Sequence, residues 1–385
     1  MMTSSTLFQP FTLAPGLVLR NRVAMAPMTT WAGNDDGTVS DDEVAYYRRR
    51  AGDVGLVITG CTHVQANGIG FTGEFAAHDD MFIPSLTRLA AAAKSGGAPA
   101  ILQIFHAGVK TLPELTSDIV AASEVEGEAG PFAPGLMPRA LSDDEVVRVV
   151  SAFADATRRA IAAGFDGVEL HGAHGFLIQN FFSPHFNRRT DRWGGSLENR
   201  MRFPLSVVAA VKAAIEEHAD RPFALGYRIS VEEGQEDGLR IADSLQLIDR
   251  LIEAGVSYIH TSLGSVLSQK PADSPSGPTI ATVVHEYIRG RAPLIAAGQV
   301  RTPDQAEQAI QAGLSVVAVG QGLVINPDWV ELAKAGRGGS VKLSISASAA
   351  EQADVPGKLW DVIEGTPGWF SVEAPATAPN AMEVA

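Results

Sequence analysis

The sequence predicts an α/β fold: a closed (β/α)8 TIM barrel with long loops after its third and fourth strands and a C-terminal extension. Three observations carry that expectation. Short β-branched runs alternate with longer Ala-rich amphipathic segments from residue 22 almost to residue 335, which is the pattern of repeated βα units. There are eight runs of each kind, the number that closes a barrel. The first strand runs into Pro27-Met28-Thr29-Thr30-Trp31, where an open doubly wound sheet usually carries a glycine fingerprint.

In chain order the strands are expected at 23–28, 55–59, 100–105, 167–171, 223–229, 258–261, 294–297 and 316–319. The helices are expected at 41–50, 85–95, 143–163, 199–218, 243–254, 279–289, 303–312 and 327–335. Glycine stands just past three of these helices, at Ala163-Gly164, Ala254-Gly255 and Ala312-Gly313, where a positive φ costs it nothing. Thr302-Pro303 and Asn326-Pro327 each place a capping residue before a proline at the first helical position. Two insertions stand out, 107–141 after strand 3 and 172–198 after strand 4, and loops of that length in a compact domain are more often functional than idle. Past residue 335 come a Ser/Ala-rich stretch, an aromatic cluster at Trp360, Trp369 and Phe370, and a Pro/Ala tail from Glu373. We read 1–335 as the barrel, 336–372 as a strap docked on it and 373–385 as a disordered tail.

Composition narrows the partners. A hydrophobic fraction of 45% against 19% charged residues excludes a mostly disordered chain. Thirty basic against 44 acidic residues leave a net charge of −14, which opposes attraction to nucleic acid or to an anionic membrane. One cysteine, Cys61, cannot form an internal disulfide, and the stretch from Met1 to Gln9 lacks the basic and apolar regions of a secretory leader. No apolar run reaches the length of a membrane span. The expectation is a cytoplasmic protein acting on a small molecule, with homo-oligomerisation left open.

Chemistry in such a barrel belongs at the C-terminal ends of the strands. Thr29, Cys61, Gln103, His106, His171, His174, Arg228, Gly298-Gln299 and Gly320-Gln321-Gly322 fall there. Glycines after strands 7 and 8 free backbone N–H groups to face an anion such as phosphate, although each alone could simply permit a tight turn. His171 and His174 can donate jointly to one oxygen. They could also be held by structural hydrogen bonds, or join His106 or Cys61 around a zinc ion, which needs three protein ligands; no metal is expected. Arg228 is a cation beneath the same mouth unless it pairs with the inward-facing Glu169. The run Arg48-Arg49-Arg50 reads as a solvated helix face, and Cys61, without a neighbouring base in sequence, as packing.

Leu-Arg-Asn-Arg-Val-Ala-Met-Ala-Pro-Met-Thr (19–29), Gln-Ile-Phe-His-Ala-Gly (103–108) and the run Gly-Val-Glu-Leu-His-Gly-Ala-His-Gly (167–175) resemble the old yellow enzyme family. So does Asn-Arg-Arg-Thr-Asp-Arg-Trp-Gly-Gly-Ser-Leu-Glu-Asn-Arg (187–200), and the resemblance spans about residues 7–335. It implies a barrel holding FMN non-covalently, taking hydride from NADH or NADPH and passing it to an electron-poor acceptor, typically the C=C of an enone. It further implies roles. Ala26, Pro27, Met28 and Thr29 would lie along the isoalloxazine, with the Thr29 hydroxyl near its O4/N5 edge. Cys61 would pack against the flavin, Gln103 pair with its pyrimidine edge, and Arg228 face N1/O2, where the reduced flavin carries negative charge. Gly298, Gly320, Gln321 and Gly322 would hold the phosphate; His171 and His174 would bind the acceptor carbonyl, with Trp31 and Phe176 facing the substrate.

Two departures from the family pattern bear on this. Gln321 stands where the family usually has an arginine beside the phosphate, which removes one charge-assisted contact and shifts the load to backbone amides or another arginine. Phe176 stands where the family usually has the tyrosine that protonates Cα, and Tyr46, Tyr47, Tyr227, Tyr258 and Tyr287 all fall outside loops that follow a strand. The expected activity is reduction of activated alkenes, with solvent supplying the Cα proton. The alternative is the same flavoenzyme with quinone, oxygen or free flavin as acceptor. A third reading, a flavin-free barrel such as a Schiff-base aldolase, lacks a lysine in any expected strand.

Overall fold

The computed structural model describes residues 5–373. Eight parallel strands close on themselves: β1 (Val23–Met25), β2 (Leu56–Ile58), β3 (Ala100–Phe105), β4 (Gly167–Gly172), β5 (Ala224–Ile229), β6 (Tyr258–Ser262), β7 (Leu294–Ala297) and β8 (Val316–Val319). Closure is made where Val317 pairs with Val23 and Val319 with Met25. Ala24, Leu56, Ile58, Ile101, Tyr258, Ile295, Val316 and Ala318 point inward as one apolar plug, while their sequence neighbours pack outward against the helices.

The helices form for legible reasons. The one at Asp143–Ala162 opens with a capping box, Ser142 and Glu145, and places three acidic residues in its first turn, opposite the helix dipole. Its Val146, Val149, Phe153, Ala156 and Ala160 recur at helical spacing and are buried. Thr302 caps Pro303–Gln311 as expected, again with a reciprocal box to Gln305. Gly255 ends Ile241–Ala254 in the left-handed conformation.

Three expectations need correction. Asn326 does not start a helix: it ends a short one, Gln321–Ile325, and its side chain bonds the carbonyls of Gly322 (3.0 Å) and Lys342 (2.9 Å). The following helix therefore begins later, at Trp329–Lys334. Arg48 and Arg49 are exposed, but Arg50 is fully buried. Its guanidinium reaches the carbonyls of Leu323 (3.1 Å), Val324 (3.0 Å), Tyr46 (3.1 Å) and Ala353 (2.8 Å) and stacks 3.9 Å over the Tyr46 ring. Arginine's five donors suit such a carbonyl cage, and a periodicity argument gives no sign of it.

Further elements lie outside the repeat. A hairpin of Phe11–Ala14 and Leu17–Leu19 inserts Leu13 and Leu19 into the lower barrel plug. After β8 and its helices the chain makes two short helices, Ala347–Gln352 and Gly357–Gly365, and a bridge between Ile345 and Val372. Leu359, Ile363 and Phe370 are buried in the main core. The expected disordered tail lies, from residue 374 onward, outside the described residues. No described helix is long and apolar enough to cross a membrane.

Candidate active site

The C-terminal mouth of the barrel holds a cavity of about 500 Å3. Apart from Gly322 and His106, every residue singled out from the sequence as a site residue lines it: Ala26 to Thr29, Trp31, Cys61, Gln103, His171, His174, Phe176, Arg228, Gly298, Gln299, Gly320 and Gln321. Gly322 sits behind the wall, where an added Cβ would lie 2.9 Å from Val319. His106 is turned away, its Nδ1 accepting from the Gly108 amide at 3.1 Å. Three of the five described non-glycine residues with left-handed backbone, Trp31 (φ 55°), His174 (φ 60°) and Gln299 (φ 53°), line this cavity, and strain of that kind is held in place where geometry matters.

The floor is a buried polar layer. Glu169 accepts from Gln103 Nε2 at 2.7 Å and meets His260 Nδ1 at 2.9 Å. Burial alone would raise the Glu169 carboxyl; His260, by its charge and its hydrogen bond, then the Arg228 charge and the Gln103 hydrogen bond hold it low. Burial pushes His260 down, offset in part by the Glu169 carboxylate beside its Nδ1. Arg228 therefore feels Glu169 but does not bond it. One of its amino groups donates to Ser262 Oγ at 3.0 Å, and its Nε is buried without a partner.

The two histidines stand on the wall. Their ring centroids are 4.9 Å apart, and burial, first, with neighbouring cations including Arg228 pushes both well below the usual histidine range, so both are neutral. The Ala173 amide donates to His171 Nδ1 at 3.3 Å, which places the ring proton on Nε2. His174 Nε2 lies 2.6 Å from Ser262 Oγ. Phe176 packs edge-on to His171 and to Phe105, each at 4.8 Å. Trp31 meets Phe71 (5.6 Å), Phe132 (5.6 Å) and Trp369 (5.9 Å), so aromatic rings from three loops and the C-terminal segment roof the cavity. Burial pushes the Cys61 thiol far up, which removes it as a nucleophile.

Sequence reasoning missed Ser262, because it ended β6 one residue early, at 261. It also missed Arg301, since four residues past β7 the strand parity no longer tells which way a side chain points. Phe71, Phe132 and Trp369 belong to loops and the C-terminal segment, where no periodicity places them.

The cavity suits a flavin mononucleotide. Among the described residues its lining holds two arginines, Arg228 and Arg301, and no aspartate or glutamate, in a chain whose net charge is −14. The orphaned Nε of Arg228 awaits an acceptor. A Cβ on Gly298 would stand 2.5 Å from the Leu263 carbonyl, and one on Gly320 3.0 Å from Met28 Sδ, so the backbone after β7 and β8 comes close to its neighbours only as glycine.

Barrel, mouth and anion-seeking lining define a phosphate-cofactor enzyme of the TIM-barrel class. The chain belongs to the NADH:flavin oxidoreductase / NADH oxidase family, whose profile matches residues 6–339, and is an FMN-dependent NAD(P)H oxidoreductase of the old yellow enzyme type. It is 42% identical over 364 residues to a probable NADH-dependent flavin oxidoreductase of Bacillus subtilis (strain 168), covering 94% of this chain and 97% of that one. It is 40% identical to the NADH:fumarate oxidoreductase of Klebsiella pneumoniae (strain 342) over 94% of this chain, but spans 39% of that protein's length. Morphinone reductase in complex with tetrahydroNAD superposes with a TM-score of 0.73 at 29% identity, covering 87% of this chain and 92% of that one. An old yellow enzyme homologue from Zymomonas mobilis gives 0.76 at 24% identity over 86% and 93%, a likeness of fold.

Proposed function

We propose that this oxidoreductase reduces C=C bonds conjugated to a carbonyl. The neutral pair His171 and His174 on the cavity wall carries the reading. Bound FMN would supply the hydride that NADH or NADPH delivers. Ala26, Pro27, Met28 and Thr29 are assigned to its ring face, Cys61 to packing beneath it, and Gln103 and Arg228 to its pyrimidine edge. Gly298, Gly320 and the backbone of Gln321 are assigned to its phosphate, whereas Gly322, behind the wall, is not. The charge that grows on the acceptor oxygen as Cβ receives hydride is met by His171 Nε2–H and, with Ser262 donating to Nε2, by His174 Nδ1–H. Trp31, Phe71, Phe132 and Trp369 give the apolar surface that would receive the carbon skeleton of the acceptor. The Cα proton comes from solvent, because Phe176 carries no acid. Relatives named for the reduction of fumarate and of acrylate support alkene chemistry.

A second reading keeps the cofactor and gives the electrons to a quinone, oxygen or free flavin. It is favoured by Phe176 and by the lack of any tyrosine in the lining of the cavity. The purified chain should be yellow and bleach with NADH or NADPH. Steady-state turnover of an enone panel beside a quinone panel then decides: turnover of quinones with no alkene product would overturn the first reading.

A further inference from the structure

We propose that Arg301 is the cation that meets the cofactor phosphate in this chain. The assignment rests on the FMN reading above and adds to it a residue outside every motif that suggested it. The cavity has two positive side chains and they serve different ends. Arg228 is anchored on β5 and committed to Ser262. Arg301 lines the cavity after Gly298, Gln299 and Val300, beside Gly320 and Gln321 of the neighbouring strand end.

Arg301 is half-buried, and its guanidinium makes no hydrogen bond or ion pair with any described residue, whereas its backbone is fixed. Its amide donates to Gln305 Oε1 at 2.8 Å, and its carbonyl accepts from Trp329 Nε1 at 2.7 Å. Trp329 is fully buried and Gln305 belongs to the capping box of the next helix, so the Cα is held while the charged end stays free. Other half-buried arginines are spent on the protein: Arg20 on the carbonyls of Val54 and Gly96, Arg240 on those of Gln235 and Glu236. A free guanidinium in a cavity without carboxylates is a site for an anion, and its planar fork fits phosphate oxygens two at a time.

Gln321, the polar side chain that follows β8, is engaged elsewhere. Its Nε2 donates to the carbonyl of Trp369, tying the C-terminal segment over the mouth. Being neutral, it could not balance a dianion in any case. The exchange is coherent: the position after β8 is used to hold the aromatic roof, and the charge is supplied from the loop after β7.

The test separates phosphate from ring. The full-length chain freed of flavin is titrated with FMN and with riboflavin, following quenching of flavin fluorescence. Native protein should prefer FMN; R301Q should weaken FMN about ten- to a hundredfold and leave riboflavin unchanged. R301K, which keeps the charge and loses the fork, should fall between. Q321R in the R301Q background should regain part of the FMN affinity. Unchanged FMN binding in R301Q, or equal losses for FMN and riboflavin, overturns the assignment. If the native chain binds neither flavin, the FMN reading itself has failed, an outcome distinct from either.

Discussion

Ser262 Oγ lies 2.6 Å from His174 Nε2 and accepts from Arg228 at 3.0 Å. One hydroxyl at the end of β6 thus joins the cation assigned to the flavin edge to the imidazole assigned to the acceptor. Ser262→Ala should free His174 to rotate and strand a buried donor of Arg228. Phenolic ligands, whose oxygen mimics an acceptor carbonyl, should bind about tenfold more weakly. Spectral titration of the oxidised enzyme with a phenol checks this, and unaltered affinity would show that the hydroxyl merely fills space.

His171 and His174 are both held well below the usual histidine range, with burial the largest cause. They therefore gain protons only on the acid side, and between about pH 6 and 8 the oxidative half-reaction should show no inflection from either. Replacing either by alanine should cost roughly 2–4 kcal/mol in that half-reaction, with flavin reduction by nicotinamide affected less. Stopped-flow measurement of the two half-reactions across pH separates the effects. A step near pH 6.5 that vanishes in His174→Ala would mean that the ring titrates during turnover.

The strands and helices were legible because their causes are local and periodic: β-branched runs, caps, glycine stops. So were His171 and Arg228, which strand parity aims into the mouth, and His174, read from the glycine-punctuated run after β4. Ser262 was lost to a one-residue boundary, since the ladder continues from Thr261↔Ala296 to Ser262↔Ala297. Arg50 was misread because its surroundings come from carbonyls of Leu323, Val324 and Ala353, some 300 residues away. The aromatic roof was out of reach for the same reason: Trp31, Phe132 and Trp369 meet only once the chain has folded.

Arg50 links that distant structure to the site. It bonds the short helix that follows Gly320 and the turn before Gly357–Gly365, and burial lowers its pKa to about 10. Arg50→Met keeps the apolar stem but leaves several buried carbonyls without a donor. We expect a loss of about 3–5 kcal/mol of stability, read as a lower urea midpoint. Because the carbonyls lie behind the C-terminal segment, digestion by protease should begin there; global unfolding with no such early cleavage would place the role of Arg50 elsewhere.

On the proposed reading Phe176 decides which acceptor the protein serves. Its ring stands edge-on to His171 at 4.8 Å and is almost wholly buried on the cavity wall, so it would face the acceptor without offering a proton. General acid assistance is typically worth 10²–10⁴-fold. Enone reduction by the native chain should therefore be slow relative to reduction of its flavin. Phe176→Tyr adds one hydroxyl to the same ring scaffold and should accelerate enone reduction while leaving quinone turnover nearly unchanged. An unaltered enone rate has two explanations, and product analysis in deuterated solvent distinguishes them. Stereospecific deuterium at Cα would reveal a donor already positioned elsewhere on the wall. Random labelling by the native chain would confirm bulk water as the proton source. The absence of any reduced alkene from either variant would show that the histidine pair holds a different oxygen, and that electrons leave this flavin for a quinone, oxygen or free flavin.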